Sequence, residues 1–320
     1  MLRYSIIPVI VNLYVLKVDI SIKMKVGNIM IETTLINIEE IVNTYGYDLS
    51  EVDLSNKDFT KFNFSNVILP SDRNLFQKSR YKSIKYSIFT GFDFSKYDLR
   101  GIDLAYSEFK DKCIFPEDSN FLINMKDSSI YCTSFSNCDL SKYSFEGVNL
   151  FGAYFSEKVL LPNDKLLFQI IKDRNLSNVV LPENDYSEYI FDGVSLTGTE
   201  FTEKSIIPRD KYFFQTIKGK NINRTKLPIG DYSIYDFNGI SMMYADFGNK
   251  SKVPKEYNFI KKTSCVLGCN FGEEYNKEIH LYDLKNTSYN INMKDLAPIQ
   301  QAIIYFKYKK EIQAKKIKIE

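Results

Sequence analysis

The chain repeats itself every 46 residues, and this period constrains its fold more than any other feature. Prolines recur at that spacing: Pro70, Pro116, Pro162, Pro208 and Pro254. Three further ladders share it: Gly101, Gly147, Gly193 and Gly239; Tyr97, Tyr143, Tyr189 and Tyr235; Phe109, Phe155, Phe201 and Phe247. Four ladders with one period predict a repeat protein in which each unit stacks on its neighbour and covers its apolar surface.

A period of five residues lies inside each unit. The large apolar residues before Pro162 show it: Phe135, Leu140, Phe145, Leu150 and Phe155. This spacing matches neither the 3.6-residue period of a helix nor the two-residue period of a strand. It is typical of a backbone that turns a corner after each short straight segment. The central Leu or Phe and the residue two before it then point inward, while the intervening Asp or Asn faces solvent.

These pentads resemble the pentapeptide-repeat family over roughly residues 47–273. The family pattern is a small residue, Asp or Asn, Leu or Phe, a small polar residue and a variable one. Six segments match it closely: VDLSN (52–56), KDFTK (57–61), IDLAY (102–106), CDLSK (138–142), VNLFG (148–152) and ADFGN (245–249). The resemblance implies a mainly β fold, a right-handed quadrilateral β-helix with four pentads per coil. The tyrosine ladder departs from the pattern, because it puts a bulky residue in the small position, and it predicts local distortion.

The half of each unit that opens Pro-x-Asp lacks clean pentads. Proline followed by an acid and by the apolar clusters LLFQII (166–171) or YFFQTI (212–217) predicts a short helix. Such a helix would lie against, or be inserted between, successive coils. An alternative stays open, in which weak five-residue spacing continues through Leu161, Leu166, Ile171 and Leu176 and each unit makes nearly two full coils.

Three regions follow from these patterns: an N-terminal cap (1–46), the solenoid (47–273) and a C-terminal segment (274–320). Alternation from Val18 to Val26, a turn at Gly27-Asn28 and the strand Ile29–Glu32 predict a hairpin, followed by a helix over 35–45. Residues 297–317 predict an amphipathic helix that serves as a cap or as a homodimer contact. The apolar run at residues 5–16 contains Pro8 and Asn12, so a folded cap and a cytoplasmic location are favoured over export.

The charge pattern argues against nucleic acid as a partner. The formal charge is +2, and residues 291–320 alone contribute +4, which leaves the preceding 290 residues at −2. A DNA-imitating rod needs strong negative charge, and a strand-binding groove needs continuous positive charge. One basic cluster with two nearby tyrosines is not repeated in later units: Lys78, Arg80, Lys82 and Lys85, with Tyr81 and Tyr86.

Residues with recognisable chemistry are few. The single histidine, His280, has no motif around it, so no Ser-His-Asp set can form. Cys265 and Cys269 lack a second pair to complete a zinc site, and GKNINRTK (219–226) is no phosphate loop. One acid per unit fits the first turn of a helix: Asp72, Asp118, Asp164, Asp210 and Glu256. We therefore predict no catalytic, cofactor-binding or metal-binding residues.

The function that these observations favour is a non-catalytic repeat protein that acts as a macromolecular binding or scaffolding surface, with another protein as partner. Small-molecule substrates, nucleic acid and membranes are not indicated. Two alternatives remain at this point. One is a DNA-mimicking, topoisomerase-interacting protein of the kind the family resemblance allows, and the other is an exported effector or surface protein.

Overall fold

The computed structural model describes residues 23–26, 29–32, 37–254, 263 and 269–271, and in it the backbone forms a stack of coils held by parallel bridges. The longest column of bridged residues contains Asn63, Ile88, Glu108, Ser134, Tyr154, Val180, Glu200, Lys226, Asp246 and Asn270. Between Ile88 and Asp246 the steps alternate between 20 and 26 residues. The 46-residue unit is therefore two coils, one narrow and one wide, which was the alternative left open by the sequence.

Each coil is bonded to its neighbours along four sides, named here from one narrow and one wide coil. They are side A (Ser83 and Asp103), side B (Ile88 and Glu108), side C (Asp93 and Ile114) and side D (Gly101 and Asn124). Side B contains the regular strands, which pair in parallel in chain order: β3 (Ile88–Thr90), β4 (Glu108–Lys110), β5 (Ser134–Phe135) and β6 (Tyr154–Phe155). Gly101 on side D has a φ of 70°, a conformation that favours glycine at this corner.

The N-terminal elements are an antiparallel strand pair and one helix. Strands β1 (Lys23–Val26) and β2 (Ile29–Glu32) pair as the sequence alternation predicted, with Val26 opposite Ile29. Helix α1 (Ile38–Tyr45) lies within the predicted range, and its first turn is capped by the Asn37 side chain, which accepts from the Glu39 amide at 2.8 Å. Asn37, just before α1, forms a bridge on side A, and Asp48, just after it, forms a bridge on side C. Helix α1 therefore occupies side B of the first coil.

The Pro-x-Asp segments form side D of the wide coils, so the prediction that they lie between coils is wrong. Each contains at most one turn of α-helix: α2 (Leu167–Ile170) and α3 (Phe213–Thr216). A 3-10 turn follows each of them, at Lys172–Arg174 and Lys218–Lys220, and Lys126–Ser128 forms the equivalent 3-10 turn in an earlier unit. The wide coil has six more residues than the narrow coil, and a helical turn shortens their path so that they span the same side. The Asp164 carboxylate accepts from the Leu166 amide at 2.9 Å and fixes the start of this turn.

The core is filled by the central residue of each pentad, as the five-residue period predicted. On side B the phenylalanine rings stack coil upon coil, with centroid separations of 4.6 Å (Phe64 to Phe89), 5.7 Å (Phe89 to Phe109), 5.3 Å (Phe109 to Phe135) and 5.7 Å (Phe135 to Phe155). All five rings are buried. Burying each contributes about 1.5–3 kcal/mol, and only because the coils on either side cover it.

The proline and tyrosine ladders are two halves of one contact. The hydroxyl of Tyr143 donates to the carbonyl of Pro116 at 2.8 Å, and that of Tyr189 donates to Pro162 at 3.0 Å. Tyr97 and Tyr235 repeat the bond, to Pro70 and Pro208. The bulky residue in the small-residue position thus joins a narrow coil to the corner of the preceding wide coil, and all four tyrosines are buried.

A glutamine ladder holds side D together. The Gln169 amide donates to the carbonyls of Ile190 at 3.1 Å and Asp192 at 3.0 Å on the next coil, and Gln77 and Gln215 make equivalent pairs of bonds. The second unit has Ile123 at this position. Within the part of the chain that the structure describes, no helix is long and apolar enough to span a membrane. The predicted C-terminal helix (297–317) lies outside the described residues.

Candidate interaction surface

The residues that the sequence analysis considered for chemistry fall partly outside and partly inside the described residues. His280, Cys265 and Glu256 lie outside the described residues. Among the residues that are described, no group of three or more His, Cys, Asp or Glu could hold a metal ion. The unit acids on side D recur two coils apart, about 9.6 Å, and each accepts from the backbone amide two residues later. Their place is the turn of the wide coil, and they do not form a paired site.

Several groups of the basic cluster of the first unit have acidic or aromatic partners. Lys78 contacts the Asp72 carboxylate at 2.6 Å, and Lys85 contacts Asp103 at 3.3 Å. The Arg80 guanidinium lies 5.4 Å from the centre of the Tyr81 ring. These contacts pair three members of the cluster with neighbouring side chains at the surface.

A depression of about 420 Å³ lies on side D between the first and second units. Two of its charged lining residues are paired with each other, because Arg100 binds Asp98 through two bonds, of 2.9 and 2.6 Å. The hydrogen bond from Arg100 lowers the pKa of the Asp98 carboxyl.

The most distinctive surface is a ladder of four rings where side A turns into side B, which we call the aromatic corner: Tyr86, Tyr106, Tyr131 and Phe151. They lie on four successive coils. The centroids of Tyr86 and Tyr106 are 4.7 Å apart, those of Tyr106 and Tyr131 5.3 Å, and those of Tyr131 and Phe151 5.5 Å. Tyr86 is 50% exposed and Tyr106 39%, and Tyr131 and Phe151 are partly buried, so the ladder is accessible from solvent.

The coil does not need rings at these positions. Tyr86 and Tyr106 have φ near 60°, and the same position in later coils is occupied in turn by Cys132, Gly152, Asn178, Gly198, Arg224 and Tyr244. A residue with a Cβ in this left-handed conformation costs roughly 1–2 kcal/mol relative to glycine. The positions of Tyr131 and Phe151 are likewise occupied by small polar residues further along: Ser177, Thr197 and Asn223. Four aromatic residues in mutual contact therefore occur on one stretch of a corner whose later positions are mostly small, apart from Arg224, Met243 and Tyr244.

The charges beside the aromatic corner are paired. Lys85 contacts Asp103 at 3.3 Å and Lys110 contacts Glu108 at 2.5 Å. The hydrogen bond that the Tyr131 hydroxyl donates to Tyr106, together with the nearby Cys132, raises the pKa of Tyr131 to about 12. Aromatic residues surrounded by polar, charge-balanced groups are the composition that protein interfaces favour at their centres.

A second surface follows side C, and we call it the aliphatic–aspartate row. Its aliphatic members come from wide coils and are about half exposed: Ile68, Ile114, Leu160 and Ile206. Its aspartates come from narrow coils and lie between them: Asp48, Asp93, Asp139, Asp185 and Asp231. Each carboxylate accepts from the serine amide two residues later, and the hydrogen bond from that serine lowers the pKa of each.

Both surfaces were missed by the sequence reasoning. The row had a visible signal, since its aliphatic residues recur at 46 and each lies two residues before a ladder proline. The aromatic corner had no repeat signal in the sequence, because its members are 20, 25 and 20 residues apart and share no fixed spacing.

Comparison with known proteins gives similar solved structures and no sequence family. No family model matches the chain. No curated protein matches it either. Full-length QnrB1, a plasmid-mediated fluoroquinolone resistance protein, is 15% identical, with a TM-score of 0.25 over 71% of this chain and 96% of that one. HetL, a pentapeptide repeat protein of the cyanobacterium Nostoc, is 11% identical, with a TM-score of 0.23 over 73% and 94%. Both TM-scores are below 0.5, and the pentads and bridges of the chain itself define its fold.

Proposed function

We propose that this chain, a pentapeptide-repeat protein whose pentads stack through parallel bridges, is a non-catalytic scaffold that binds another protein. In this proposal the solenoid (47–273) is a right-handed quadrilateral β-helix in the cytoplasm. Residues 1–46 cap it, and residues 274–320 form a separate C-terminal segment. A homodimer contact through residues 297–317 stays a prediction.

One observation carries the proposal: the aromatic corner stacks four rings at positions where the next two coils have Ser177, Asn178, Thr197 and Gly198. Rings that the coil does not require, and that cost backbone strain at Tyr86 and Tyr106, need another reason to be there. Tyrosine is also among the residues that contribute most to binding energy at protein interfaces. Residues 1–290 have a formal net charge of −2, and this near-neutral charge supports a protein partner over DNA mimicry.

The test replaces each ring by a residue that the solenoid itself uses at the equivalent position. The variant is Tyr86→Asn, Tyr106→Asn, Tyr131→Ser and Phe151→Thr, with Asn178, Ser177 and Thr197 as templates. We expect it to keep its circular dichroism spectrum. We also expect the partner affinity, measured by biolayer interferometry after affinity purification from the host, to fall at least about 30-fold, because loss of a binding hot spot costs 2 kcal/mol or more.

A matched control is available on the same corner. Tyr244 has the same backbone conformation, with φ at 58°, and is 44% exposed, but it lies several coils beyond the aromatic corner. Tyr244→Asn is expected to leave the affinity within about twofold. Unchanged affinity of the fourfold variant would refute the aromatic corner as the binding surface. So would an equal loss of affinity in the fourfold variant and in Tyr244→Asn.

A further inference from the structure

The aliphatic–aspartate row has a fixed pitch that a helix can match. Successive coils lie about 4.8 Å apart, so its aliphatic residues recur every ~9.6 Å with an aspartate halfway. A helix rises about 10.5 Å in seven residues, so apolar side chains at every seventh position meet the row when the helix is tilted by roughly 24°. Lysines at intermediate positions would then face the aspartates.

Side C is also acidic as a whole. Its straight segments and the corners beside them contain nine acidic and five basic side chains, a net of −4: residues 91–96, 111–114, 137–142, 157–160, 183–188, 203–206 and 229–234. Three of the lysines, Lys112, Lys158 and Lys204, each follow an acidic residue directly. Lys204 contacts Glu183 at 3.5 Å, so its charge is already paired. An occupant of this face should therefore be basic and amphipathic.

The chain contains one segment with that pattern, residues 297–320, which lie outside the described residues. Tyr305, Ile312 and Ile319 are seven residues apart, and Lys309 and Lys316 follow the first two of them by four. The segment has six lysines and two glutamates, a net of +4 that is opposite to the charge of side C. Its sequence spacing predicts a helix.

We propose that residues 297–320 lie as a helix along the aliphatic–aspartate row of their own chain. Tyr305, Ile312 and Ile319 pack on Ile206, Leu160 and Ile114 in that order, so the helix runs back along the solenoid. Lys309 lies beside Asp185 and Lys316 beside Asp139. The proposal does not depend on the aromatic corner, which is on a different edge of the coil.

The connection is long enough. Phe271 is the last described residue, in the coil that follows the fifth unit proline, and 33 residues separate it from Tyr305. Reaching the level of Ile206 on side C requires crossing about three coils, roughly 15 Å, and turning one corner. Thirty-three residues span this distance several times over when extended.

Zero-length crosslinking of the full chain tests this placement. A carbodiimide joins a lysine to a carboxylate only when the two are in contact, and mass spectrometry then identifies the pair. We expect Lys309–Asp185 and Lys316–Asp139 amides within single chains in an equal mixture of ¹⁵N-labelled and unlabelled protein. Absence of both crosslinks would overturn the proposal, and so would their occurrence mainly between heavy and light chains, which would make a second copy the occupant.

Hydrogen exchange on variants supplies an independent readout. Asp139→Asn and Asp185→Asn keep an oxygen that accepts the serine amide but remove the charge, and Leu160→Asn removes the central apolar contact. We expect the triple variant to exchange the backbone amides of 305–319 at least about tenfold faster than the unmodified chain. Asp231→Asn, in the same row but beyond the proposed contacts, should leave the rate unchanged. Equal rates in the triple variant and the unmodified chain would contradict the proposal.

Discussion

Replacing Phe109 by alanine is expected to lower the free energy of unfolding by about 3–5 kcal/mol, because the ring lies in the middle of the stacked core. Phe109 is fully buried between Phe89 and Phe135, with centroids at 5.7 and 5.3 Å, and its ring also contacts Phe115 at 5.3 Å. The alanine would leave a cavity between the rings of the coils on either side. Urea unfolding followed by circular dichroism measures the change.

The neighbouring residue provides the control. Glu108 is on the same strand with its side chain on the outer surface, paired with Lys110. Glu108→Ala is expected to change the free energy of unfolding by less than about 0.5 kcal/mol, as exposed ion pairs contribute little. A loss below 1 kcal/mol for Phe109→Ala would show that side B is not a packed column.

Raising the pH above 10 is expected to unfold the solenoid steeply, because two tyrosines cannot ionise while buried. The Tyr186 hydroxyl donates to Pro182 at 2.8 Å and that of Tyr232 to Pro228 at 2.5 Å, and both side chains are almost fully buried. Burial raises the pKa of each well above its ordinary value of about 10. The unfolded chain alone then releases these protons, so the contribution of the two hydroxyls to stability is constant below pH 10 and is lost as the pH rises above it. Each tyrosine contributes about 1.4 kcal/mol per pH unit.

The double variant Tyr186→Phe and Tyr232→Phe isolates this effect. At pH 8 it should be less stable by about 1–3 kcal/mol per site, because the two proline carbonyls lose their donors. Between pH 10 and 11.5 its stability should fall less steeply, by about 2.7 kcal/mol per pH unit for the pair. Burial also raises the pKa of Tyr97, Tyr143 and Tyr235 to about 12. Their contribution to the pH dependence of stability is the same in the double variant and in the unmodified chain. Identical slopes would contradict the assignment.

The core could be predicted from sequence because pentad spacing determines which side chains face inward regardless of how the coils connect. Phe135, Leu140 and Phe145 are five apart and buried, as the period required. The bond between Tyr143 and Pro116 could not be predicted, although both ladders were visible. Their spacing of 27 residues becomes a contact only when the preceding coil is known to contain 26.

The aromatic corner shows the same limit more sharply. Tyr106 is the fifth residue of its pentad and Tyr131 the fourth, and the ring contact between them depends on the wide coil that separates them. Ile114 is a large apolar residue between two buried ones, yet its side chain is 55% exposed. The wide coils have one extra residue on side C, just before the proline corner, and this turns Ile114 outward while Cys113 and Phe115 stay buried.

Deleting residues 150–195 tests the central claim, that one 46-residue unit is two complete coils. The deletion joins Asn149 to Leu196, which restores a pentad of the form VNLTG and leaves the bonds of Tyr143 to Pro116 and of Tyr235 to Pro208 intact. We predict a folded protein whose longest dimension, by small-angle X-ray scattering, is shorter by about 9.6 Å. Deleting residues 150–172, half a unit, should unfold the chain. A 46-residue deletion that unfolds, or a 23-residue deletion that folds equally well, would contradict the two-coil unit.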